Sequence, residues 1–492
     1  MDHMIFASVS SLLPALVVAI TALVVMIAIA LKRSHFWTAT LSVIGLNAAL
    51  LAVVAQAAGL VSIGSTFGEL FVFDGLAIFN TGVILIASLA CCTLSYGYFE
   101  TLKDNKDELY LLMLISTLGA ILMTGAEHLA AFLMSLELLS VPMYGMLAYT
   151  FLRSRSLESG LKYLIMSAAA SATLLMGMAL IFADTGTLLF KDLAKILLSG
   201  QISSLTVVGV VMMLSAVAFK LSAAPFHAWV SDVYEGAPAP VAAFLASVSK
   251  VAMMALALRF FIGSLAMMTP AFDTVLIVVI VLSIVLGNLL AIRQDNLKRM
   301  LAYSSIAHIG YALIALLSVG AGSIGLVSMY MAVYALTSIG AFGVITLMSS
   351  PYRERGHTSI GGEADDLRFY QGLFWRRPVL TAVLTVMLLS LAGIPLTAGF
   401  ITKFTIFLAA VQGLQFWAAG MIILGSAIGL YYYLRILVNL YKKPKVNLEF
   451  DAHEHWGIKA GGVMVMIVTL LVVVFGILPE GMMQLASLAF VR

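Results

Sequence analysis

The sequence is poor in charge: Asp, Glu, Lys and Arg make up 10% of its 492 residues, against about 25% in soluble domains. Hydrophobic residues make up 62% of the chain, which is more apolar surface than a soluble core of this length can bury. This composition excludes a soluble globular protein and a disordered chain. The chain must therefore be dissolved in a lipid bilayer.

Other features are scarce as well. The two cysteines, Cys91 and Cys92, are adjacent, and adjacent cysteines neither bridge readily nor give the spacing of an iron–sulfur site; we interpret them as small apolar residues. No GxGxxG segment opens a βαβ unit, so no NADH site is predicted. No two histidines share a helix face at metal or haem spacing, and a net charge of +3 does not indicate a nucleic-acid partner.

Long apolar segments fill most of the chain, and each has roughly the 20 residues that a spanning helix needs. Their continuous apolar character favours helices over the alternating strands of a membrane barrel. The first segment follows no basic stretch, so we expect a permanent span and not a cleaved signal. The sequence predicts an all-α membrane protein with about fourteen transmembrane helices, at residues 12–31, 36–58, 73–98, 109–126, 128–151, 159–183, 204–226, 239–262, 272–292, 299–319, 325–349, 378–412, 416–440 and 458–478.

The distribution of basic residues between these segments predicts an orientation. With the N-terminus outside, 18 Lys and Arg residues, Lys298 among them, fall in cytoplasmic loops, and four (Lys191, Lys195, Arg259 and Arg492) fall on the other side. This bias follows the positive-inside rule and places both termini outside. Residues 184–203 are predicted to form an amphipathic surface helix, and residues 351–377 a long polar cytoplasmic loop.

A few charged residues lie inside predicted spans, where each costs at least about 2.5–3.5 kcal/mol and is functional by default. Arg435 is explained by snorkelling to the interface, and Lys162 by an ion pair with Glu158 one turn earlier. The other charges lie deeper. A structural role is the alternative interpretation for each. A buried lysine that changes protonation readily suits a proton relay. These deeper residues are Glu137, Lys220, Lys250 and Lys403.

Two predicted spans are interrupted by proline. Pro225 follows Lys220 by five residues, and Pro395 precedes Lys403 by eight. Proline removes a helical hydrogen bond, and broken helices in both halves of a chain are typical of transporters with inverted repeats. Either break alone could be a kinked packing helix, but the pair predicts two helices that are broken and lie toward the protein interior.

Two histidines are further candidates for proton transfer. His227 lies at the first break, and His308 lies in the middle of a predicted span. An ordinary pKa near 6.5 suits a group that accepts and releases protons. A histidine that is simply hydrogen-bonded in the interior is the alternative interpretation for both.

Several segments together resemble a known family. Residues 220–241, the pair Ser249-Lys250, and residues 295–311 and 389–403 closely resemble the antiporter-like membrane subunits of respiratory complex I, the bacterial proton-pumping NADH:quinone oxidoreductase. Related subunits occur in multi-subunit sodium/proton antiporters and membrane-bound hydrogenases. The resemblance covers essentially the whole chain, and further segments narrow it to one type of subunit, at residues 33–36, 41–50, 104–108 and 348–352.

The resemblance implies a single membrane domain built around two five-helix repeats related by inversion. The repeats would occupy residues 109–262 and 272–440, with three helices before them in residues 1–108 and a last helix in residues 441–492. It also implies roles for the buried residues: a coupled pair of Glu137 and Lys220, a central relay, and a gate to the second half-channel. The central relay would be Lys250 with His308, and the gate would be Lys403.

The implied function is proton translocation driven by remote NADH-to-quinone electron transfer, in an enzyme complex of the bacterial inner membrane. NADH, FMN, iron–sulfur clusters and quinone would be bound by other subunits and no cofactor by this chain. Its partners would be lipids, neighbouring antiporter-like subunits and small membrane subunits. A cation/proton antiporter subunit and a scaffold without transport are the alternatives. A scaffold should have lost its buried lysines, and here all are present.

Overall fold

The computed structural model describes residues 10–61, 66–100, 106–198, 203–260, 270–318, 323–354, 363–443 and 450–490. Several residues on which the sequence predictions draw lie outside these ranges. They are the first nine residues, the cations Lys103, Arg355, Lys445 and Arg492, residues 104–105 of one resembling segment, and residues 199–202 and 355–362 of the two predicted connections.

The described residues form helices in nearly every predicted span, with one two-stranded hairpin. The first half contains α1 (Leu13–Leu31), α2 (His35–Ala57), β1 (Thr66–Phe67), β2 (Phe71–Val72), α3 (Gly75–Phe99), α4 (Glu108–Gly125), α5 (Leu129–Leu147), α6 (Ser154–Thr185), α7 (Phe190–Leu198), α8 (Ser204–Leu221), α9 (Ala228–Gly236) and α10 (Ala239–Phe260). The second half contains α11 (Pro270–Ile292), α12 (Leu297–Ser318), α13 (Ser323–Glu354), α14 (Leu373–Arg376), α15 (Pro378–Ala392), α16 (Ala398–Gln412), α17 (Phe416–Tyr441), α18 (Ala460–Ile477) and α19 (Pro479–Ser487).

Among the described residues, 13 helices are long and apolar enough to cross a membrane. The shorter apolar helices α15 and α16 together make up the remaining, interrupted span. The predicted all-α membrane fold with about fourteen spans is therefore confirmed. Helices α10, α12 and α13 are the most completely buried and form the centre of the molecule.

Both predicted helix breaks are present. Helix α8 ends before Ser222, whose φ of 63° is left-handed, and α15 ends before Gly393, with a φ of 83°. The predicted inward orientation holds for Lys220 and Lys403, which are buried, but not for Pro225 and Pro395, which are exposed on the isolated chain. A proline has no backbone N–H to satisfy, so it can lie on the outer side of a break without leaving a donor unpaired.

The two predicted connections contain more ordered structure than the sequence suggests. The amphipathic helix predicted for residues 184–203 is α7, which begins at Phe190, because α6 continues through Thr185. In the loop predicted for residues 351–377, helix α13 continues to Glu354. The loop also contains a 3₁₀ turn at Leu367–Tyr370 and helix α14.

Candidate functional site

Glu137 and Lys220 approach one another through serine hydroxyls on two helices. Ser171 on α6 donates to a Glu137 carboxylate oxygen at 2.5 Å. The Lys220 ammonium donates to Ser140 Oγ on α5 at 2.7 Å and to Ser167 Oγ on α6 at 2.6 Å. Ser140 lies three residues after Glu137 on α5, and Ser167 lies four residues before Ser171 on α6, so each is about one helical turn away. Among the described residues no ion pair within 4.0 Å joins the two charges, and each is hydrogen-bonded to serine hydroxyls instead.

The first break places Lys220 at the end of α8 and leaves carbonyls without helical partners. Trp229 on α9 donates its indole N–H at 3.1 Å to the Phe219 carbonyl, which also accepts from the Ser222 N–H at 2.9 Å. The backbone N–H of Ala224 donates to Ser283 Oγ on α11 at 2.9 Å. Side chains thus satisfy part of the freed backbone, as its depth in the membrane requires.

Lys250 occupies the centre of the molecule and is 1% exposed. It follows a π-helical turn at Leu245–Ser249, a local distortion that is common at functional sites. Its ammonium donates to Ser305 Oγ on α12 at 2.7 Å. The rings of Tyr234 and Tyr334 lie 5.9 and 6.0 Å from the ammonium, within the range of cation–π attraction.

His308 lies one turn after Ser305 on α12. Its Nδ1 is 2.7 Å from the Tyr330 hydroxyl. A small cavity of about 10 Å³ is lined by both His308 and Lys403. This is about the space that one water needs.

Lys403 lies on α16, after the second break, and its side chain reaches back to the end of α15. The ammonium donates to the carbonyls of Leu391 at 2.8 Å and Ala392 at 3.2 Å, which are at the end of α15. The Tyr311 ring lies 5.0 Å from the ammonium. Lys403 thus partners the backbone groups that the break releases.

The structure brings together five of the six predicted site residues. An aromatic stretch connects the first pair to the centre: the Tyr163 ring lies 5.5 Å from the Lys220 ammonium and 5.0 Å from the Trp229 ring, and Trp229 shares α9 with Tyr234 beside Lys250. His227 is different. It is half-buried at the start of α9, its Nδ1 has no hydrogen-bond partner, and no contact among the described residues joins it to the other five.

The two remaining charges inside predicted spans form ion pairs. Lys162 is 2.6 Å from Glu158, as predicted, and also 2.9 Å from Asp232. Arg435 is partly exposed and pairs with the Asp295 carboxylate while donating to the Ile292 carbonyl at 2.9 Å. Snorkelling to the interface therefore explains its exposure but not its ion pair and backbone hydrogen bond.

Sequence reasoning missed two buried ionic groups because it assigned their cations to loops. Arg259 is 8% exposed and pairs with Asp74 at 2.6 Å and Glu127 at 3.2 Å. Lys298 is 1% exposed and pairs with Glu363 at 2.5 Å. A lysine in the first turn of a helix opposes the helix dipole, and that mismatch was the available signal for Lys298.

Among the described residues no group of three or more His, Cys, Asp or Glu side chains is arranged to hold a metal ion. Cys91 and Cys92 are buried and unpaired, in agreement with their interpretation as small apolar residues.

Comparison with known proteins identifies the class. A family model described as "NADH:quinone oxidoreductase/Mrp antiporter, TM" matches residues 126–429. A chain of respiratory complex I from Thermus thermophilus with bound aureothin aligns with a TM-score of 0.80 and 28% identity, covering 97% of this chain and 100% of that one. The Mrp complex from Dietzia sp. aligns at 0.82 and 20% identity over 98% and 97% of the two chains, which shows the shared fold. The chain is thus one of the integral membrane subunits common to these complexes.

Two curated relatives narrow the class. NADH-quinone oxidoreductase subunit N of Psychrobacter arcticus is 60% identical over 479 residues, 97% of this chain and 96% of the relative. The subunit of the same name from Acinetobacter baumannii is 52% identical over 481 residues, 98% and 95% of the two chains. The chain belongs to the subunit N family of NADH-quinone oxidoreductase, and the resemblance carried by its motifs is confirmed.

Proposed function

We propose that this chain translocates protons in the membrane arm of NADH:quinone oxidoreductase. The observation that supports this is the series of charged groups that runs through its interior, from the half-buried Glu137 and the buried Lys220 by way of Lys250 and His308 to Lys403. Serine hydroxyls, aromatic rings and a cavity of water size connect these groups, whereas the surrounding core is apolar. Charged groups this deep in a membrane protein are expensive and mark transport pathways.

Each step in the line has a physical task. Ser140 and Ser167 give the Lys220 ammonium hydrogen-bond partners while keeping it apart from the Glu137 carboxylate, so that the attraction between them can vary with a small movement. Ser305 holds Lys250 one helical turn from His308, and a water in the cavity would pass a proton between His308 and Lys403. Moving one charge against 100 mV costs about 2.3 kcal/mol, which small changes in such contacts can supply.

The proposal includes an organisation and an orientation. Residues 109–262 and 272–440 form the two inverted repeats, each with one broken helix, between three N-terminal helices in residues 1–108 and a C-terminal helix in residues 441–492. The excess of basic residues in alternate loops supports an orientation with both termini on the periplasmic side of the bacterial inner membrane.

The proposed partners follow from the family. Neighbouring antiporter-like subunits and small membrane subunits would flank this chain, together with lipids, and other subunits would hold NADH, FMN, the iron–sulfur clusters and quinone. This chain would supply no redox chemistry. His227 is proposed as an accessory proton-transfer group at the first break, with its unpartnered Nδ1 as the support.

Replacement of Lys250 by alanine tests the relay. In vesicles containing the assembled complex, Lys250→Ala should lower proton pumping per electron several-fold while electron transfer to artificial acceptors continues. Lys250→Arg should not restore pumping, because a guanidinium stays protonated at any working pH.

Assembly is checked on native gels, so that a missing subunit is not mistaken for a missing proton carrier. Parental pumping by Lys250→Arg would mean that Lys250 only tethers Ser305, and the relay assignment would be wrong.

A further inference from the structure

Glu363 is a buried carboxylate outside the proposed relay. It lies in the connection between α13 and α14, beyond the spanning helices, and its side chain is 2% exposed. Burial raises the pKa of Glu363 well above its usual range. An ionised carboxylate at this depth therefore depends on the cations around it.

Three separate parts of the chain meet at this carboxylate. Oε2 accepts a hydrogen bond from Lys298 Nζ at 2.5 Å. Oε1 accepts from the backbone N–H of Ala239 at 3.2 Å and lies 3.3 Å from the Arg153 guanidinium. Lys298 Nζ also donates to the Ala237 carbonyl at 2.8 Å. The group is therefore fully engaged with the connections α5–α6 and α9–α10 and with the start of α12.

Two of these contacts lie at the starts of the helices that carry the centre of the relay. Ala239 begins α10, which holds Lys250, and Lys298 is the second residue of α12, which holds Ser305. A negative charge at the start of α10 satisfies a backbone N–H without a helical partner and matches the helix dipole. The same charge offsets the unfavourable position of Lys298 in the first turn of α12.

Backbone and side-chain hydrogen bonds fix the segment around Glu363. The N–H of Ala364 donates to Ser349 Oγ on α13 at 3.0 Å. The N–H of Leu297 donates to the Asp365 carbonyl at 2.6 Å, and the N–H of Leu367 to the Asp295 carbonyl at 2.9 Å. The carboxylate is thus presented from a segment that is itself attached to α12 and α13.

We infer that Glu363 is a positioning residue for proton transfer, which fixes the start of α10 against the start of α12 so that Lys250 meets Ser305. The inference rests on the proposed function, since it presumes that Lys250 carries the proton. Lys250 lies about 16 Å along α10 from Ala239, and Ser305 about 10 Å along α12 from Lys298, at 1.5 Å per residue. A shift of one helix start against the other is therefore carried along two well-packed helices to the Lys250–Ser305 contact.

Three variants separate positioning from simple stabilisation of the loop. Glu363→Gln keeps the shape but removes the charge, and leaves the Lys298 ammonium buried without its counter-ion. The double variant Glu363→Gln with Lys298→Met removes both members of that pair and so relieves the cost at Lys298, while Arg153, whose side chain is 15% exposed, can be hydrated. Glu363→Asp keeps the charge but withdraws it by one methylene, which alters the geometry without leaving a buried cation unpaired.

The measurement is proton pumping per electron in vesicles that contain the whole complex, with assembly followed on native gels. We expect the double variant and Glu363→Asp to assemble and to pump at half the parental ratio or less, while electron transfer to artificial acceptors continues. Asp366→Asn is the matched control, because Asp366 lies in the same segment but pairs with the exposed Arg368, and it should pump at the parental ratio.

Parental pumping by the assembled double variant or by assembled Glu363→Asp would overturn the inference and leave Glu363 a stabilising residue. If the double variant does not assemble, Glu363→Asp decides alone. Lys250→Ala is measured in parallel. Loss of pumping there with parental pumping at Glu363→Asp refutes positioning only, whereas parental pumping by Lys250→Ala refutes the proposed function itself.

Discussion

Lys220 and Lys403 lie beside the two broken helices, but they meet their breaks in different ways. Lys220 precedes its break and donates to serine hydroxyls on other helices, while the Phe219 carbonyl accepts from the Trp229 indole and the Ser222 N–H. Lys403 follows its break and itself takes up the freed carbonyls. Partnering the backbone and holding a charge are separate tasks at the first break and a single task at the second.

The surroundings of the two ammonium groups differ accordingly. Lys220 and the Glu137 carboxylate are both hydrogen-bonded to serine hydroxyls on α6, at Ser167 and Ser171. Within the described residues Lys403 has no carboxylate within 4.0 Å, and carbonyl dipoles and the Tyr311 ring balance its charge. Substitutions that remove one task at a time should therefore act differently at the two breaks.

The largest effect is expected from Gly399→Ala at the second break. A Cβ on Gly399 would lie 1.9 Å from the Ser390 carbonyl oxygen, so α16 would have to move away from α15. Forcing atoms into a packed contact costs about 1–3 kcal/mol or more, and the movement would carry Lys403 away from its carbonyls. We expect little assembled complex and at least a tenfold loss of pumping in membranes.

Gly420→Ala on α17 is the control for this substitution, since a Cβ there meets nothing within 4 Å. Normal assembly of Gly399→Ala would show that the second break does not need the close approach of its two half-helices.

Lys403→Met should remove both a buried charge and a hydrogen-bond donor to the backbone, whereas Lys220→Met should remove only the charge. Both remove a proposed proton carrier, and we expect pumping per electron to fall about tenfold in each. Lys403→Met also leaves two buried carbonyls without their donor, at about 1–3 kcal/mol for an unsatisfied group. Heating the purified complex and following release of the subunit should show the lower transition temperature for Lys403→Met. Equal transition temperatures would contradict the assignment of two tasks to Lys403.

Trp229→Phe tests the opposite case at the first break. It removes the indole donor to the Phe219 carbonyl while leaving Lys220 in place. The Phe219 carbonyl keeps its hydrogen bond from the Ser222 N–H, so we expect stability to fall by about 0.5–1.5 kcal/mol, the net contribution of one hydrogen bond, and pumping to stay above half of the parental ratio. Trp37→Phe, at a site 60% exposed, is the control for losing an indole. A loss of pumping as large as that of Lys220→Met would mean that the two tasks are coupled at this break too.

The sequence predicts the spans, both breaks and the depth of the lysines, because proline and charge are conspicuous in long apolar segments. It does not predict which groups partner the lysines. Ser140 and Ser167 resemble any small residues on a packed helix, and nothing in the sequence indicates that Trp229 reaches back across the break. Glu363 and Lys298 are 65 residues apart in segments that look like exposed loops, and only the tertiary fold buries them together.

The smallest effect is expected from Ser167→Ala, which trims one partner of Lys220 and leaves the rest of the first break intact. The Ser167 hydroxyl accepts from Lys220 and lies 2.9 Å from the Tyr144 hydroxyl. A hydrogen bond to a charged group contributes about 1.5–3 kcal/mol, but Ser140 still accepts from the ammonium at 2.7 Å. We therefore expect less than a twofold fall in pumping per electron, with normal assembly.

Thr173→Ala on the same helix is the matched control, because the Thr173 hydroxyl donates within α6 to the Ala169 carbonyl. A fall with Ser167→Ala as large as that of Lys220→Met would make the hydroxyl an obligatory step between the two charges. In that case the first break would depend on a single side chain as strictly as the second depends on Lys403, and the contrast between the two would be lost.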